Sequence, residues 1–239
     1  NDPVIAVVRG VAVNQDGRTN GIAAPNGYSQ QRVIRQALNN ANVAAEDITY
    51  VESHGTGTLV GDPIEVEALS EVYGQQSPQG DCFLGAVKTN IGHLEGAAGI
   101  ASVIKMALSL SKGTIAPNIN FETINPHINL DQTRFQLPLD SQNWTPQLGQ
   151  RFGAVSSFGI GGTNAHIVIE QAPEVTVAVV ATPASERQLI RWSAKTPAAA
   201  THYAAQLSQA VEAMSVEGAC ESQVLATIAS ELSTQRELM

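Results

Sequence analysis

Two histidines in the chain follow two predicted strands, and their positions suggest shared chemistry. His54 comes after the short apolar run 48–51, and His93 comes after the apolar run 82–87. Residues at the carboxyl ends of strands in an α/β sheet lie along one edge, where such sheets bind ligands. If the two strands are neighbours, both imidazoles can therefore face one substrate. The alternative is that one or both histidines are hydrogen-bonded residues with a structural role.

The segments around these histidines contain residues that a binding site would need. Three glycines within 55–61 alternate with hydroxyl residues after His54, and such backbone lets a ligand approach closely. His93 precedes a predicted helix, whose positive amino end disfavours an imidazolium, so we expect a neutral ring with one N–H to donate. Lys88 stands five positions before His93 and could hold that ring through a charge-assisted hydrogen bond.

The spacing of residues gives less support to other kinds of site. A zinc site would need a third ligand beside the two histidines, and the chain has no H-x-x-x-H or C-x-x-C pattern. The glycine-rich stretch 159–164 lacks the Lys-Ser/Thr ending of a phosphate-binding loop, so a turn that lines a pocket is predicted there. Cys82 and His166 lie inside predicted strands, which favours structural roles for both. The sequence thus predicts no metal site and no cofactor bound by this chain.

Composition limits the classes of partner and compartment. The chain has 239 residues and a formal net charge of −9, and 43% of its residues are hydrophobic. The negative charge argues against nucleic acid or an anionic membrane as the main partner, and no apolar run reaches the ~18–20 residues needed to span a bilayer. Cys82 and Cys220 lack the spacing of a disulfide framework, so a cytoplasmic location is expected. A strand pattern begins soon after Asn1, and we expect a piece of a longer polypeptide.

The apolar pattern in the first half of the chain predicts helix, strand, helix, strand and helix in turn. This order is typical of an α/β domain in which helices cover a sheet. The stretch Gly61-Asp62-Pro63-Ile64-Glu65 predicts a helix start, with Asp62 as the N-cap and Glu65 in the reciprocal capping position. The helix predicted over 96–111 is apolar nearly all round and is expected to be buried. The segment 152–170 should form a hairpin of two strands.

The composition changes at Pro173, where a stretch rich in Ala, Val, Thr and Pro begins. Beyond it the pattern predicts a strand, a helix and a second helix, at 188–193, 197–214 and 220–232. We therefore predict two parts, a main domain over 1–172 and a small α/β linker element over 173–239.

Several long motifs carry a resemblance to a known family. They are Glu52-Ser53-His54-Gly55-Thr56-Gly57-Thr58, Gly61-Asp62-Pro63, Lys88-Thr89-Asn90-Ile91-Gly92-His93 and Ser157-Phe158-Gly159-Ile160-Gly161-Gly162-Thr163-Asn164-Ala165-His166. In order and spacing they resemble the carboxyl half of a β-ketoacyl synthase (ketosynthase) domain of a modular type I polyketide synthase. The resemblance covers residues 1–172, and 173–239 resemble the start of the linker between ketosynthase and acyltransferase. It implies a thiolase-like layered α/β fold, of which this chain is the carboxyl half.

The resemblance also implies an activity. It identifies the chain as part of an acyltransferase of the β-ketoacyl synthase type, which catalyses decarboxylative Claisen condensation in polyketide biosynthesis. In that reaction a malonyl-type extender is carried on the phosphopantetheine of an acyl carrier protein. The extender loses carbon dioxide and attacks an acyl chain that is bound to a cysteine.

Seven residues receive roles from the same resemblance. His54 and His93 would stabilise the enolate oxygen that develops in the reaction, and Lys88 would support His93. Four more would bind the substrate, the first two along the phosphopantetheine arm and the last two as gates beside the nucleophile: Thr56, Thr58, Phe158 and Ile160.

The family's nucleophilic cysteine lies in the amino half, in a Cys-Ser-Ser type motif that does not occur in this chain. Activity would therefore require the amino half. The resemblance implies three partners, namely this amino half, an acyl carrier protein and an adjacent acyltransferase-type domain, with a homodimer for the complete enzyme. One alternative is a non-elongating ketosynthase that transfers acyl chains or serves as a structural docking module. Another is an unrelated protein that binds a small ligand in the same pocket.

Overall fold

The computed structural model describes residues 4–19, 21, 24–145, 149–173, 189–216, 225–226, 228–229 and 232. The chain forms two compact units, one of them Pro3–Pro173 and the other containing Glu174–Met239. The assignment of 1–172 and 173–239 to two functional domains stays a prediction, because compactness alone does not define function.

The larger unit alternates helices and strands over its first half, as predicted. Its elements in chain order are β1 (Ala6–Gln15), α1 (Gly27–Ala41), β2 (Ile48–Glu52), α2 (Gly61–Tyr73), β3 (Cys82–Gly85), α3 (Lys88–Ile91), α4 (Ala98–Lys112), β4 (Thr114–Ile115), β5 (Phe135–Gln136), β6 (Gln142–Asn143), β7 (Phe152–Phe158) and β8 (Thr163–Gln171). The short helix α3 is a single turn between β3 and the segment that contains His93. A 3-10 turn at Glu95–Ala97 leads into α4.

A mixed sheet with the strand order β1-β8-β7-β2-β3-β5 forms the centre of this unit. β2 pairs in parallel with β3, so that Tyr50 lies opposite Phe83 and Val51 opposite Leu84. The carboxyl ends of these two strands therefore meet at one edge, which confirms that the strands preceding the two histidines are neighbours. The predicted hairpin is confirmed as well, because β7 and β8 pair antiparallel with Phe158 opposite Asn164.

Helices cover both faces of the sheet. On the face covered by α1 and α2, the buried side chains include Val33, Ile34, Val51, Leu69 and Val168. On the face covered by α4, they include Tyr50, Met106, Leu110, Trp144 and Ile169. Full burial of one such side chain contributes about 1.5–3 kcal/mol to folding. The hydrophobic clusters on both faces therefore stabilise the sheet whose edge carries the histidines.

The prediction that α4 is buried all round is wrong. One side of the helix packs on the sheet through Met106 and Leu110. The opposite side carries Ile100, Ile104 and Leu108, whose exposed fractions are 58%, 53% and 46%. These three residues are spaced four apart and form one apolar stripe, because residues at i and i+4 share a helix face. A count of apolar residues could not tell which side of the helix the sheet would cover.

The irregular chain between α4 and β7 is held by a buried arginine. Arg134 is only 2% exposed, and its guanidinium donates to four backbone carbonyls, those of Ala45, Ile48, Tyr73 and Gly80. A guanidinium cannot be deprotonated in a protein, so its burial requires these acceptors. They attach β5 to the start of β2 and to the end of α2.

The smaller unit contains α5 (Pro197–Val216), which confirms the predicted helix. Thr196 caps it, because its hydroxyl oxygen accepts from the Ala199 N–H at 3.2 Å. The strand predicted over 188–193 is wrong for the described residues 189–193, which form no strand. The Trp192 indole there donates to the Ala200 carbonyl of the helix at 3.2 Å. Most of the helix predicted over 220–232, with Cys220, lies outside the described residues.

His166 on β8 is fully buried inside the larger unit. Its Nε2 lies 2.7 Å from the Tyr73 hydroxyl and its Nδ1 lies 3.0 Å from the Ser156 hydroxyl. Burial lowers the pKa of this imidazole from 6.5 to about 3. Both ring nitrogens are therefore engaged by neutral groups, and the ring is uncharged at neutral pH.

Among the described residues, none of the helices combines the length and the apolar character that crossing a bilayer requires.

We predict that His166 makes the folded protein sensitive to acid. Its pKa is lower in the folded state, so its contribution to stability is complete above pH 6.5 and is lost as the pH falls towards 3. Between pH 7 and pH 5 this residue should lower the free energy of unfolding by about 2 kcal/mol. Glutamine can still form hydrogen bonds but does not titrate, so His166→Gln should remove this slope.

Urea unfolding at a series of pH values measures the effect. His127→Gln is the matched control. Because His127 is exposed, this replacement should leave the slope of the unfolding free energy against pH unchanged. An identical slope in the wild type and in His166→Gln would contradict the prediction.

Candidate active site

The two histidines that follow β2 and β3 meet at the edge of the sheet. The ring centroids of His54 and His93 are 5.7 Å apart, and the ring planes are nearly perpendicular at 87°. Both side chains line one cavity with a volume of about 520 Å³. The structure thus brings together two side chains that are 39 positions apart in the sequence, because the strands before them are parallel neighbours.

Lys88 contacts His54 rather than His93, which differs from the sequence expectation. Its ammonium donates to the His54 carbonyl oxygen and lies 3.5 Å from His54 Nδ1. Lys88 begins α3 shortly after the end of β3, so it lies beside the end of β2, where His54 is. His93 is further along the same segment. Sequence proximity suggested the wrong partner, because the parallel pairing of β2 with β3 decides which residues are adjacent.

Hydrogen-bond donors at both Nδ1 atoms set the tautomers of the two histidines. An ammonium can only donate, so His54 Nδ1 accepts from Lys88. His93 Nδ1 accepts from the Glu95 backbone N–H at 2.9 Å. In a neutral imidazole with an accepting Nδ1, the proton is on Nε2. Each ring can therefore present one N–H from Nε2 to a molecule in the cavity.

His54 is neutral at physiological pH. Burial lowers the pKa of its imidazole to about 4, and the positive charges of Lys88 and His93 act in the same direction. Lys88 is itself partly buried, which lowers the pKa of its ammonium. A neutral ring next to a cation can donate a hydrogen bond without carrying a charge of its own, which suits an oxygen that becomes negative during a reaction.

Glu65 holds the backbone of His54, a role that the sequence analysis missed. It lies on α2 and is 4% exposed, and its carboxylate accepts from the His54 N–H at 2.6 Å and the Gly55 N–H at 2.9 Å. Burial raises the pKa of this carboxyl to about 7. Gly55 has a φ of +48°, a left-handed conformation that glycine adopts at little cost. Together these residues fix the direction in which the chain leaves β2.

The predicted capping roles at the start of α2 are therefore wrong. The helix begins at Gly61 with Val60 as the N-cap residue, and the Asp62 carboxylate accepts from the Gly57 N–H at 3.0 and 3.1 Å. Both acidic side chains thus stabilise the preceding loop and not the helix end. The capping pattern is local, and it could not show that a loop folds back over the first turn of α2.

The four residues expected to bind substrate all line the same cavity: Thr56, Thr58, Phe158 and Ile160. The Phe158 ring lies 5.6 Å from the His54 ring, and Ile160 is 85% exposed. The Thr58 hydroxyl accepts from the Gly61 N–H at 3.0 Å, and Thr56 bonds to the Asp62 carboxylate. Each hydroxyl keeps capacity for one more hydrogen bond, since it can both donate and accept.

Cys82 does not have the environment of a nucleophile. It lies on β3 with no exposed surface, and burial raises the pKa of its thiol to about 12. The thiolate, which is the reactive form, is therefore strongly disfavoured. Within the described part of the chain, no group of three or more His, Cys, Asp and Glu side chains is placed to hold a metal ion.

We predict that the Lys88 charge helps to keep His54 neutral. Replacing Lys88 with methionine removes a positive neighbour and should raise the pKa of His54 above about 4. Titration of the histidine ring resonances by NMR measures this shift. Lys112→Met is the control, because this exposed lysine lies at the far end of α4. A His54 pKa that is unchanged or lower in Lys88→Met would contradict the assigned contact.

Two family models match the chain. The model of the beta-ketoacyl synthase C-terminal domain matches residues 5–122, and that of the ketoacyl-synthetase C-terminal extension matches residues 125–234. A phenolphthiocerol/phthiocerol polyketide synthase protein of Mycobacterium tuberculosis is 56% identical over 174 residues, which are 73% of this chain and 11% of the relative. A spectinabilin polyketide synthase system protein of Streptomyces orinoci is 51% identical over 172 residues, which are 72% of this chain and 8% of the relative. The chain thus spans only a small part of the curated relatives that it matches.

Solved ketosynthase structures resemble this chain over nearly all of its length. The ketosynthase from module 6 of the bacillaene synthase of Bacillus subtilis 168 has a TM-score of 0.77 and 38% identity, with 98% of this chain and 39% of that one covered. An oxazolomycin ketosynthase domain of Streptomyces albus JA3453 has a TM-score of 0.79 and 34% identity, with 100% and 41% covered.

Proposed function

The chain belongs to the β-ketoacyl synthase family, of which it carries the carboxyl-terminal domain and the extension, and we propose that it supplies the two histidines of a condensing enzyme for polyketide chain elongation. Its fold is the thiolase-like α/β fold of the ketosynthases, as the sequence predicted. The chain spans about two fifths of the solved ketosynthases that it matches, 39% and 41%. The complete activity therefore belongs to a larger protein.

One observation carries the proposal, namely two imidazoles that line one cavity and whose Nδ1 atoms both accept hydrogen bonds, so that each can present an Nε2–H to it. Decarboxylation of a malonyl thioester breaks the bond to the carboxylate, releases carbon dioxide and moves the electron pair onto the thioester oxygen as an enolate. His54 and His93 would both donate to that oxygen. Such donors act most strongly in a buried site that is arranged in advance, where removal of one typically costs about 3 kcal/mol.

The condensation that follows uses the same geometry. The enolate carbon attacks the carbonyl of the acyl chain, a new carbon–carbon bond forms, and the cysteine thiolate leaves. Neither Cys82 nor any motif of this chain supplies that cysteine, so we assign it to the amino half of the ketosynthase. Phe158 contacts His54, and we propose that it gates the nucleophile together with Ile160.

Thr56 and Thr58, in the loop that follows His54, line the cavity, and we propose that the phosphopantetheine arm of an acyl carrier protein lies along this loop. The hydroxyls of Thr56 and Thr58 can each take one more hydrogen bond, which suits the amides of that arm. Lys88 positions His54 in this scheme rather than His93, since its polar contacts are with His54.

The remaining assignments also belong to this proposal. The complete enzyme would act in the cytoplasm as an acyltransferase and a homodimer, next to an acyltransferase-type domain that follows the extension. Its partners are supported by the relatives, which are named as polyketide synthase proteins. The cofactor would be the phosphopantetheine of the carrier protein, and none is assigned to this chain.

Replacement of either histidine should separate the two half-reactions. In the complete ketosynthase, His54→Ala and His93→Ala should each slow elongation about 10²–10³-fold, because each removes one donor to the enolate oxygen. Loading of the acyl chain onto the cysteine should persist, since that step forms no enolate. Mass spectrometry of the carrier-bound products and of the acylated enzyme measures both steps.

His127→Ala provides the control for this experiment, because His127 is exposed and does not line the cavity. Normal elongation by either His54→Ala or His93→Ala would contradict the proposal. Acyl transfer between carriers by the wild type, without any extension, would favour the non-elongating ketosynthase instead.

A further inference from the structure

A second carboxylate, that of Glu52, is buried beneath the candidate active site and has no role in the chemistry described above. Glu52 is the last residue of β2 and stands two positions before His54. It has no exposed surface. A carboxylate in such a place has to be compensated by donors or by a cation, so its contacts show which segments it joins.

Three separate segments of the chain meet at the Glu52 carboxylate. Oε2 accepts from the Tyr50 hydroxyl at 2.7 Å and lies 2.9 Å from the Lys105 ammonium on α4. Oε1 accepts from the backbone N–H of Val87. The Lys105 side chain is 11% exposed, so the pair is shielded from water. The two oxygens therefore point in different directions, one towards α4 and the other towards the segment after β3.

Each of these segments carries one of the polar groups of the candidate active site. β2 leads to His54, and Val87 is bonded directly to Lys88. The helix α4 continues the segment in which His93 and the 3-10 turn occur. The Glu52 carboxylate thus contacts the segments that carry His54, Lys88 and His93. None of these three side chains touches the carboxylate itself.

The fit around this carboxylate is tight. A Cβ added to Gly85 on β3 would lie 2.5 Å from the Tyr50 hydroxyl and 2.9 Å from Glu52 Oε2. The Gly85 carbonyl also accepts from the Ser53 N–H at 2.8 Å and from the Ser53 hydroxyl at 2.9 Å. The residue between Glu52 and His54 is therefore fixed to β3, and no side chain larger than that of glycine fits at position 85 beside the carboxylate without a shift.

We propose that Glu52 and Lys105 are positioning residues, which hold the segments of His54, Lys88 and His93 at the separation that the condensation requires. This inference rests on the proposed function. The Val87 contact connects the carboxylate with Lys88, the Lys105 contact connects it with α4, and β2 connects it with His54. The pair acts through these three segments and does not contact the substrate.

A buried ion pair could also do no more than stabilise the fold, and paired replacements separate the two roles. Glu52→Gln/Lys105→Met removes both charges but keeps a carbonyl acceptor for the Val87 N–H. Glu52→Leu/Lys105→Met removes the charges and the acceptor together. Removal of both partners avoids an unpaired buried charge, which a single replacement would leave behind.

The test uses the complete ketosynthase, with elongation of a malonyl-loaded carrier protein and acyl loading of the cysteine as two separate readouts. The Glu52→Leu/Lys105→Met variant should lose about 100-fold in kcat for elongation. KM for the carrier protein and the extent of loading should stay at the wild-type values. The Glu52→Gln/Lys105→Met variant should lose about 10-fold in kcat, again without a change in KM.

Arg9→Met/Glu170→Gln is the matched control, because it neutralises another ion pair of the same sheet, with a separation of 2.7 Å, that lies outside the candidate site. This control should leave kcat unchanged. Wild-type kcat in both Glu52 variants would overturn the inference, and so would a parallel loss of elongation and loading. If the leucine variant does not fold, the kcat of the glutamine variant decides alone.

His54→Ala in the same assay separates this inference from the proposed function. If His54→Ala elongates normally, the proposed function fails whatever the Glu52 variants do. If His54→Ala is inactive and both Glu52 variants elongate normally, only the positioning role fails.

Discussion

The parallel pairing of β2 with β3 is the constraint on which the rest of the structure depends. It brings two strand ends to one edge of the sheet, and the segments that follow them contain His54 and His93. It also places Lys88, the first residue of α3, beside His54 and not beside the histidine that is nearer in sequence. Packing of α2 on one face and α4 on the other then fixes the edge. The candidate site is therefore a consequence of strand order as much as of residue type.

Burial gives His54 the uncharged state that the proposed reaction needs. It lowers the pKa of the His54 imidazole, which leaves a neutral donor. Burial also raises the pKa of the Glu65 carboxyl to about 7, while the N–H groups of His54 and Gly55 oppose that rise by bonding to it. Contacts of buried groups such as Glu65 and Glu52 are stronger than they would be in water, since the effective dielectric constant around them is lower. The same burial requires partners for each charge, and Glu65 and Glu52 have them.

The sequence predicts the parts of this structure that depend on local pattern. The alternation of helices and strands and the hairpin follow from periodicity. The residues that line the cavity beside His54 follow from the resemblance that the long motifs carry. The contacts of Lys88, Glu65 and Asp62 could not be predicted in this way, because each joins segments whose adjacency only the sheet order determines. The exposed stripe on α4, which includes Ile104, could not be predicted for a similar reason, since the apolar content of a helix does not show which side is covered.

The most direct measurement is a structure of the complete ketosynthase with a carrier protein that holds an unreactive malonyl thioester analogue. If the two histidines act as described, the thioester oxygen will lie within hydrogen-bond distance, about 3.2 Å or less, of Nε2 of both His54 and His93. The pantetheine arm will then run along the loop that contains Thr56 and Thr58. A thioester oxygen that contacts neither Nε2, or a His54 ring whose Nε2 faces away from the cavity, would contradict the shared role of the two histidines.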